Sequence, residues 1–308
     1  MIGVIYFAYG APNSLDHVEG FFTHMMNGKT PSPQMVEGLQ NRFRQFGTVD
    51  PLSAVTKRQA RGLQILLSQS VNEEVKVYNA YKHTAPFVND VVKEMIEDGV
   101  KTIVTLPSAL LFSKSGTGAF QAEVREIVES LGAEATVVDA DSWHTHPALV
   151  AVLADRVKSA YEWLPESARE HTTVLFTVHS QPVNPSLNEG YVKQYHELAD
   201  AIAGTLQLPK WQPVYRSLHN KETWLGPDVL DVIREEAKQG TKGIVTCELL
   251  SVIADVEVFF EIGEDCQKLS SELGMEFAHA EFLNDSFDFV YALSVIVKEK
   301  LGAAKVSI

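Results

Sequence analysis

Cysteine is scarce in this chain of 308 residues, where only Cys247 and Cys266 are present. Two thiols cannot form a disulfide scaffold, and they are too few for a metal centre with four cysteine ligands. A reduced compartment suits such a composition. We therefore expect a cytoplasmic protein that carries no iron–sulfur cluster.

Basic residues are also few relative to acidic ones. The chain has 26 Lys and Arg residues against 40 Asp and Glu residues, which gives a formal net charge of −14. A surface that binds nucleic acid or an anionic membrane needs an excess of Lys and Arg to meet the phosphates. The charge balance therefore excludes a general surface of that kind.

The sequence also lacks long apolar runs. Its first ten residues, MIGVIYFAYG, contain no basic residue, and they fall well short of the roughly 18 apolar residues that a membrane helix requires. We predict that they form a first β-strand and not a signal or an anchor. No other segment predicts a membrane span.

Short apolar runs recur in two series along the chain. They show no strict alternation of polar and apolar residues, which is typical of parallel strands that are buried on both faces. The first series is Gly3 to Ala8, Val75 to Ala80, Thr102 to Leu106 and Thr136 to Val138. The second series is Thr173 to Val178, Pro213 to Arg216, Gly243 to Leu249 and Met275 to Ala278.

The segments between these runs indicate an internal repeat. Two helical patterns that begin near a proline, at Ala85 and at Gly226, occupy matching places, and the stretches that follow them are similar in sequence. We predict an α/β protein with two similar doubly wound, Rossmann-like parallel sheets and a cleft between them. The predicted domains are 1–150 and 151–285, joined near Pro147 to Tyr161, with a C-terminal helix over 286–303 that returns to the first domain.

His179 ends the predicted strand in the stretch TVLFTVHSQP, which runs from Thr173 to Pro182. In doubly wound sheets, ligands bind beyond the carboxyl ends of the strands. An imidazole there can hold a proton or a metal near neutral pH. The alternative is a core histidine that bonds a loop carbonyl, and the pattern alone leaves both open.

Three acidic residues spaced four apart follow the third strand of the second series. If Glu257, Glu261 and Asp265 lie on a helix, they form one carboxylate stripe. A solvated face is one explanation, although the apolar residues around them leave little of this helix free for solvent. Carboxylates suit a hard divalent cation, and a neighbouring histidine would suit Fe(II) or Zn(II).

Six short motifs, taken in order over nearly the whole chain, resemble those of the ferrochelatase family, and within it the coproporphyrin ferrochelatases of monoderm bacteria. These motifs are Ala8-Tyr-Gly-Ala-Pro12, Asp50-Pro-Leu52, Lys82-His-Thr-Ala-Pro-Phe87, Val178-His-Ser-Gln-Pro182, Trp224-Leu-Gly-Pro-Asp228 and Ala254-Asp-Val-Glu257. The resemblance implies a chelatase fold and the insertion of Fe(II) into a porphyrin during haem biosynthesis. It implies coproporphyrin III as the substrate in preference to protoporphyrin IX.

The resemblance also implies roles for individual residues. His179 corresponds to the essential histidine of the family, which acts as base and metal ligand, and Glu257 corresponds to its partner glutamate. Glu261 and Asp265 fall in the acidic ridge along which metal reaches the site. Fe(II) is then a substrate, an additional divalent cation is expected on the ridge, and no prosthetic group is expected.

The chain departs from the family pattern at several positions. Asp255 is followed by Val256 and Glu257, whereas the family usually has Asp-His-x-Glu. Relatives often carry a histidine after the third strand, but the stretch from Leu106 to Phe112 has none. These departures support a second interpretation, a non-catalytic or weakly active protein that binds porphyrin or haem. A two-domain protein for another small ligand also fits the fold, but it leaves the histidine and the stripe unexplained.

Candidate porphyrin contacts come from strand ends, loops and basic side chains. Asn13 stands where relatives have a tyrosine that can cap the metal, and Met26-Asn27 replaces a basic pair. Each aromatic candidate also fits a core role, and each basic one also fits a solvated surface. The predicted substrate-binding residues are Tyr9, Asn13, Lys29, Arg42, Lys114, Phe120 and Trp224, with Arg44 and Phe112 as further candidates. We expect a monomer whose partners are only the porphyrin and Fe(II).

Overall fold

The computed structural model of the protein describes residues 1–306. Its strands are β1 (Ile2–Ala8), β2 (Val75–Tyr81), β3 (Thr102–Pro107), β4 (Thr136–Asp139), β5 (Thr172–His179), β6 (Trp211–Arg216), β7 (Gly243–Glu248) and β8 (Glu276–His279). Its α-helices are α1 (Val18–Met25), α2 (Pro33–Phe46), α3 (Leu52–Ser70), α4 (Val88–Glu97), α5 (Ala119–Ser130), α6 (Pro147–Trp163), α7 (Glu166–Arg169), α8 (Pro185–Leu206), α9 (Val229–Lys238), α10 (Val256–Val258), α11 (Gln267–Glu272) and α12 (Phe287–Val306). A short 3₁₀ helix covers Leu15–His17, and π-helices cover Lys114–Gly118 and Phe259–Cys266.

The strands form two parallel sheets with the same strand order. One sheet has the order β2-β1-β3-β4 and the other has the order β6-β5-β7-β8. The central strands carry the apolar runs, and every residue of β1 is buried, as parallel sheets covered by helices require. The predicted α/β fold is confirmed, and each predicted apolar run coincides with a strand to within a few residues.

The first unit comprises residues 1–108, 116–141 and 284–308. Its sheet packs against the apolar face of α4, where Val92 and Met95 contact a core that includes Ile5 and Ile103. The segment 284–308 brings α12 into this unit, where α12 lies against α3. The buried residues Leu293 and Val297 are the contribution of α12 to the core.

The second unit comprises residues 109–115 and 142–283. The whole of α6 belongs to it, because α6 packs against α8 and against the edge of the second sheet. The predicted domain boundary at residue 150 is therefore corrected to residue 141, since a boundary at 150 would divide this helix. Its core includes Leu175, Val214 and Ile244 beneath α9 and the second π-helix.

Two further findings concern the chain as a whole. Cys247 and Cys266 are both buried and form no disulfide. No helix within residues 1–306 combines the length and the apolar character that crossing a membrane would take.

Candidate active site

Three neighbouring strands of the second sheet end in a polar or charged side chain. His179 ends β5, Arg216 ends β6 and Glu248 ends β7. The parallel register pairs His179 with Arg216 and pairs Thr177 with Glu248, so all three side chains emerge at the same edge. This is the edge at which doubly wound sheets bind ligands.

His179 presents one ring nitrogen to an acidic side chain. Its Nδ1 lies 2.5 Å from the carbonyl oxygen of Ser180, which can only accept, so Nδ1 carries the proton in the neutral ring. Its Nε2 is left with a free lone pair and lies 3.8 Å from Oε2 of Glu257. The His179 side chain is 30% exposed.

The backbone around His179 is held by buried hydroxyl groups. The Tyr191 hydroxyl donates to the carbonyl oxygen of His179 at 2.9 Å. The Ser180 hydroxyl donates to the carbonyl oxygen of Leu225 at 2.6 Å. These bonds fix the direction in which the imidazole leaves the strand, and burial raises the pKa of Tyr191 well above its ordinary value, so this phenol stays a donor.

Arg216 lies at the centre of a group of carboxylates, which we call the Arg216 cluster: Arg216, Glu248, Glu257 and Glu261. Its side chain is only 1% exposed. Its Nε donates to Glu248 at 3.0 Å, and its Nη1 donates to Glu257 at 2.9 Å and to Glu261 at 3.2 Å. Burial opposes the positive charge, but Glu248, Asp255 and Glu257 outweigh burial and raise the pKa of Arg216 well above its ordinary value.

Glu248 anchors the cluster from inside the unit. Its side chain is 1% exposed, and the Thr177 hydroxyl donates to it at 2.7 Å. The backbone N–H groups of Leu250 and Ser251 also donate to its Oε1. These donors occupy the oxygens of the buried carboxylate and hold it beside the guanidinium.

The carboxylate stripe Glu257, Glu261 and Asp265 begins on α10 and continues along the π-helix. Asp255 caps the start of α10 by accepting from the N–H of Val258 at 2.9 Å. Glu261 accepts from the Ser217 hydroxyl at 2.7 Å and 2.6 Å. Asp265 is exposed, whereas Glu257 and Glu261 both belong to the Arg216 cluster. The wide π turn, which is bonded from i to i+5, is common at functional sites.

The shortened acidic motif still brings Glu257 to the histidine. Asp255 is used as a helix cap, and the next turn directs Glu257 toward both His179 and Arg216. The side chains of His179 and Glu257 therefore lie next to each other in the second unit.

Two other predicted residues of the second unit lie outside this cluster. Trp224 is half-buried, and its ring meets that of His219 edge-on at 4.7 Å. Lys114 is exposed, and its Nζ donates to the carbonyl oxygen of Ser186 at 2.8 Å. Neither side chain belongs to the Arg216 cluster.

The first unit places Tyr9 in an aromatic group after β1. The Tyr9 ring is 49% exposed and meets the ring of His83 at 4.6 Å. Nδ1 of His83 lies 3.0 Å from Nδ1 of His24. Burial, together with Lys82 and His24, lowers the pKa of His83 to about 4, so this ring is neutral at pH 7. Asn13, Lys29 and Arg42 are exposed in the same unit.

The prediction that Phe120 contacts the substrate is wrong. The ring is 2% exposed and stacks on Phe7 with 4.0 Å between ring centroids. It lies on the inner face of α5 in the core of the first unit. A ring with both faces covered offers no surface to a porphyrin, so the core alternative is the correct one.

Sequence reasoning missed Arg216, Ser217 and His24. Arg216 was predicted only as the last residue of a strand, and its carboxylate partners lie 32 to 45 residues away in sequence. The available signal was its position, because it ends the strand next to the one that ends in His179.

Comparison with known proteins identifies the same family as the six sequence motifs. The sequence profile of the Ferrochelatase family matches residues 1–301. The coproporphyrin III ferrochelatase of Bacillus subtilis (strain 168) is 31% identical over 306 residues, which is 98% of each chain. A ferrochelatase of Herpetosiphon aurantiacus is 32% identical over 296 residues, which is 96% of this chain and 97% of that protein.

The fold also has a match among solved structures. SirB from Bacillus subtilis, solved with Fe³⁺, has a TM-score of 0.61 at 13% identity and covers 99% of this chain and 97% of its own. At this identity the likeness shows the shared fold alone. The profile and the relatives span nearly the whole sequence, so the chain belongs to the ferrochelatase family and is a metal-inserting enzyme of porphyrin biosynthesis.

Proposed function

We propose that the protein inserts Fe(II) into coproporphyrin III, with His179 as the proton acceptor and metal ligand and Glu257 as its partner. The observation that carries this proposal is the free Nε2 of His179, which lies 3.8 Å from the Glu257 carboxylate. The Ser180 carbonyl oxygen occupies the other ring nitrogen. The site therefore offers one nitrogen lone pair at the end of β5 and one carboxylate on α10.

The proposed reaction balances two protons against one metal ion. Four bonds form between iron and the pyrrole nitrogens, and two pyrrole N–H bonds break. His179 Nε2 accepts one proton through its lone pair, because the other ring nitrogen faces the Ser180 carbonyl oxygen. Glu257 or water accepts the other. Each acceptor then releases its proton to solvent and is ready for another turnover.

The metal needs only a transient site in this scheme. No group of three or more His, Cys, Asp or Glu side chains is placed to hold a metal ion within residues 1–306. An ion on His179 and Glu257 would therefore take its other ligands from water and from the porphyrin. Such weak coordination suits a metal ion that is transferred to the porphyrin and is not retained by the protein.

The carboxylate stripe is the proposed path for the metal. Asp265 is exposed, whereas the side chains of Glu261 and Glu257 are 24% and 42% exposed. Carboxylate oxygens at helical spacing give a divalent cation successive ligands. The path would end at His179, and an additional divalent cation could occupy the stripe.

The proposed test is turnover under anaerobic conditions. Purified protein is incubated with Fe(II) and coproporphyrin III, and the change in the visible bands is followed. We expect turnover in the wild type and its loss in His179→Ala, with the fold intact by circular dichroism. The matched control is His196→Ala, because His196 is an exposed histidine on α8 of the same unit.

Two outcomes would contradict the proposal. Turnover at the wild-type rate in His179→Ala would remove the histidine from the mechanism. Tight porphyrin binding by the wild type with no conversion would instead indicate a porphyrin or haem carrier.

A further inference from the structure

Arg216 is a buried cation in a place where the proposed function needs a metal ion to arrive. Its side chain is 1% exposed, whereas the side chains of Glu257 and Glu261 are 42% and 24% exposed. Arginine keeps its charge at any pH at which a protein is folded. Glu257 and Glu261 therefore have a permanent positive charge beside them.

The guanidinium divides its donors between two sides. Its Nε and Nη2 face inward to Glu248, and Nη2 also donates to Ser251 at 3.1 Å. Its Nη1 faces outward, where it donates to Oε2 of Glu257 and to Oε2 of Glu261. One side thus neutralises the buried carboxylate, and the other is shared between the two carboxylates that begin the stripe.

The charges of the Arg216 cluster do not cancel. Glu248, Glu257 and Glu261 are all within 3.4 Å of one guanidinium, so the negative charge remains in excess. A divalent cation is attracted to the outer two carboxylates, but it must share them with Nη1. Glu257 and Glu261 therefore attract the metal ion, and Arg216 competes with the ion for the same two carboxylates.

We infer that Arg216 is a positioning residue that acts as an internal counter-cation: it holds Glu257 and Glu261 in place when no metal is bound and weakens their grip on the metal that they receive. This inference rests on the proposed function of the stripe. It goes beyond that function because it names what sets the affinity of the stripe. A path must release its ion, and two unopposed carboxylates would retain it.

Ser217 separates the effect of charge from the effect of position. Its hydroxyl donates to both oxygens of Glu261 at 2.7 Å and 2.6 Å, so it orients the same carboxylate without a charge. Ser217→Ala is therefore the matched control. If orientation alone mattered, this variant would change metal binding as much as a change at Arg216 does.

The test measures binding of Co(II), which is stable in air, to the free protein by calorimetry without porphyrin. Because Arg216→Gln alone would leave Glu248 buried without its partner, the main variant is Arg216→Gln with Glu248→Gln. We expect it to bind Co(II) at least about tenfold more tightly than the wild type, since the positive charge of Nη1 no longer competes with the ion for Glu257 and Glu261, while the paired loss of Glu248 leaves the net charge of the cluster unchanged. Adding Glu261→Gln should cancel the gain, and Ser217→Ala should not reproduce it.

Turnover supplies an independent measurement. With Fe(II) and coproporphyrin III, the double variant should show a lower KM for metal together with a lower kcat, because the ion is held more tightly and is released more slowly. A merely structural role would lower kcat without lowering KM. Unchanged or weaker Co(II) binding in the folded double variant overturns the inference, whereas failure of the wild type to turn over contradicts the proposed function instead.

A measurement on the wild type decides the matter if the double variant does not fold. The Nε–H signal of Arg216 in ¹⁵N-labelled protein, assigned by its loss in Arg216→Lys, is followed during titration with Zn(II). Because metal on Glu257 and Glu261 would draw them from Nη1, we expect a saturable shift of this signal. A signal that stays fixed while Zn(II) binds would refute the inference.

Discussion

Glu257 and Glu261 share one guanidinium, but only Glu257 also approaches His179. We expect Glu257→Gln to cut the insertion rate by a factor on the order of 100 or more, as is typical when a direct ligand or proton acceptor is lost. The amide keeps the volume and removes the charge, so single-turnover rates at saturating Fe(II) measure the effect directly.

Glu261 and Asp265 should affect the supply of metal. Glu261→Gln should raise the Fe(II) concentration needed for half-maximal rate, with porphyrin binding intact, and Asp265→Asn should do least because Asp265 is exposed. If the stripe were only a solvated face, each substitution would relieve repulsion between like charges, raise helix stability by a few tenths of a kcal/mol and leave activity unchanged. Thermal melts and Fe(II) saturation curves distinguish the two explanations.

The position of a single residue in the fold could be predicted only where a local sequence pattern determines it. The position of His179 at a strand end was predictable because an apolar run ends at it, and the helical placement of Glu257, Glu261 and Asp265 was predictable because helical spacing is local. Arg216 was not, because its role depends on Glu248, Glu257 and Glu261, which the fold brings to it. Phe120 was wrong because a position near a loop does not show which side of α5 faces the core.

Among the secondary-structure elements, the edge strand β8 should respond to acid. The Nδ1 of His279 lies 2.9 Å from the Thr246 hydroxyl, and its Nε2 is buried with no hydrogen-bond partner among the described residues. Burial, only partly opposed by Glu248, lowers the pKa of His279 to about 4. The folded state therefore favours the neutral ring, and the unfolded chain takes up a proton near pH 6.5.

The sign of the effect follows from this difference. Stability is fully present above about pH 6.5 and is lost as the pH falls toward 4, because only the unfolded chain binds the proton there. We expect the His279 contribution to the free energy of unfolding to fall by on the order of 3 kcal/mol across that window. Urea titrations at pH 7 and pH 4.5 on the wild type and on His279→Asn measure it. Equal losses in both proteins would contradict the assignment.

The strands were predictable and the special helices were not. Short runs such as Ile2–Ala8 are apolar because parallel strands are buried on both faces, and this leaves a strong local signal. The π-helix Phe259–Cys266 has the same apolar and acidic spacing that an α-helix would show. The assignment of α6 to the second unit depends on which sheet the helix packs against, and a local sequence pattern does not predict that packing.

For the whole molecule, the two units should differ in their ability to fold alone. A fragment of residues 142–283 contains every strand of the second sheet and the helices that cover it, so we expect a cooperative urea transition. A fragment of residues 1–141 lacks α12, whose Phe289, Leu293 and Val297 are fully buried, and should not fold cooperatively. The control joins residues 284–308 to residues 1–141 through a flexible linker, which should restore the transition. A stable fragment 1–141 would show that α12 is dispensable.

The charge of the whole chain bears on the proposed substrate. With a net charge of −14, recognition of a tetra-carboxylate porphyrin must depend on individual cations. Lys29, Arg42 and Lys114 are the exposed candidates. We expect better kinetics with coproporphyrin III than with protoporphyrin IX, and weaker coproporphyrin binding as salt is raised. Equal kinetics with both porphyrins, or binding insensitive to salt, would contradict this preference.

The matching strand orders allow the two halves of the chain to be aligned position by position. The N–H of Tyr81 donates to the carbonyl of Pro86, and the N–H of Tyr215 donates to that of Pro227, so these tyrosines are counterparts. Their strand partners are Ala8 and Val178. One residue further along, Tyr9 therefore corresponds to His179, and Lys82 corresponds to Arg216.

This correspondence is what an ancient gene duplication would leave behind. Duplication of a half-length chain would have placed the same residue at each pair of matching strand ends. After fusion, each copy could diverge separately, and a histidine followed on the next strand by an arginine, His179 and Arg216, is found in only one of them. The two units thus share one strand order and differ at the strand ends, with a phenol in the first unit where the second has an imidazole.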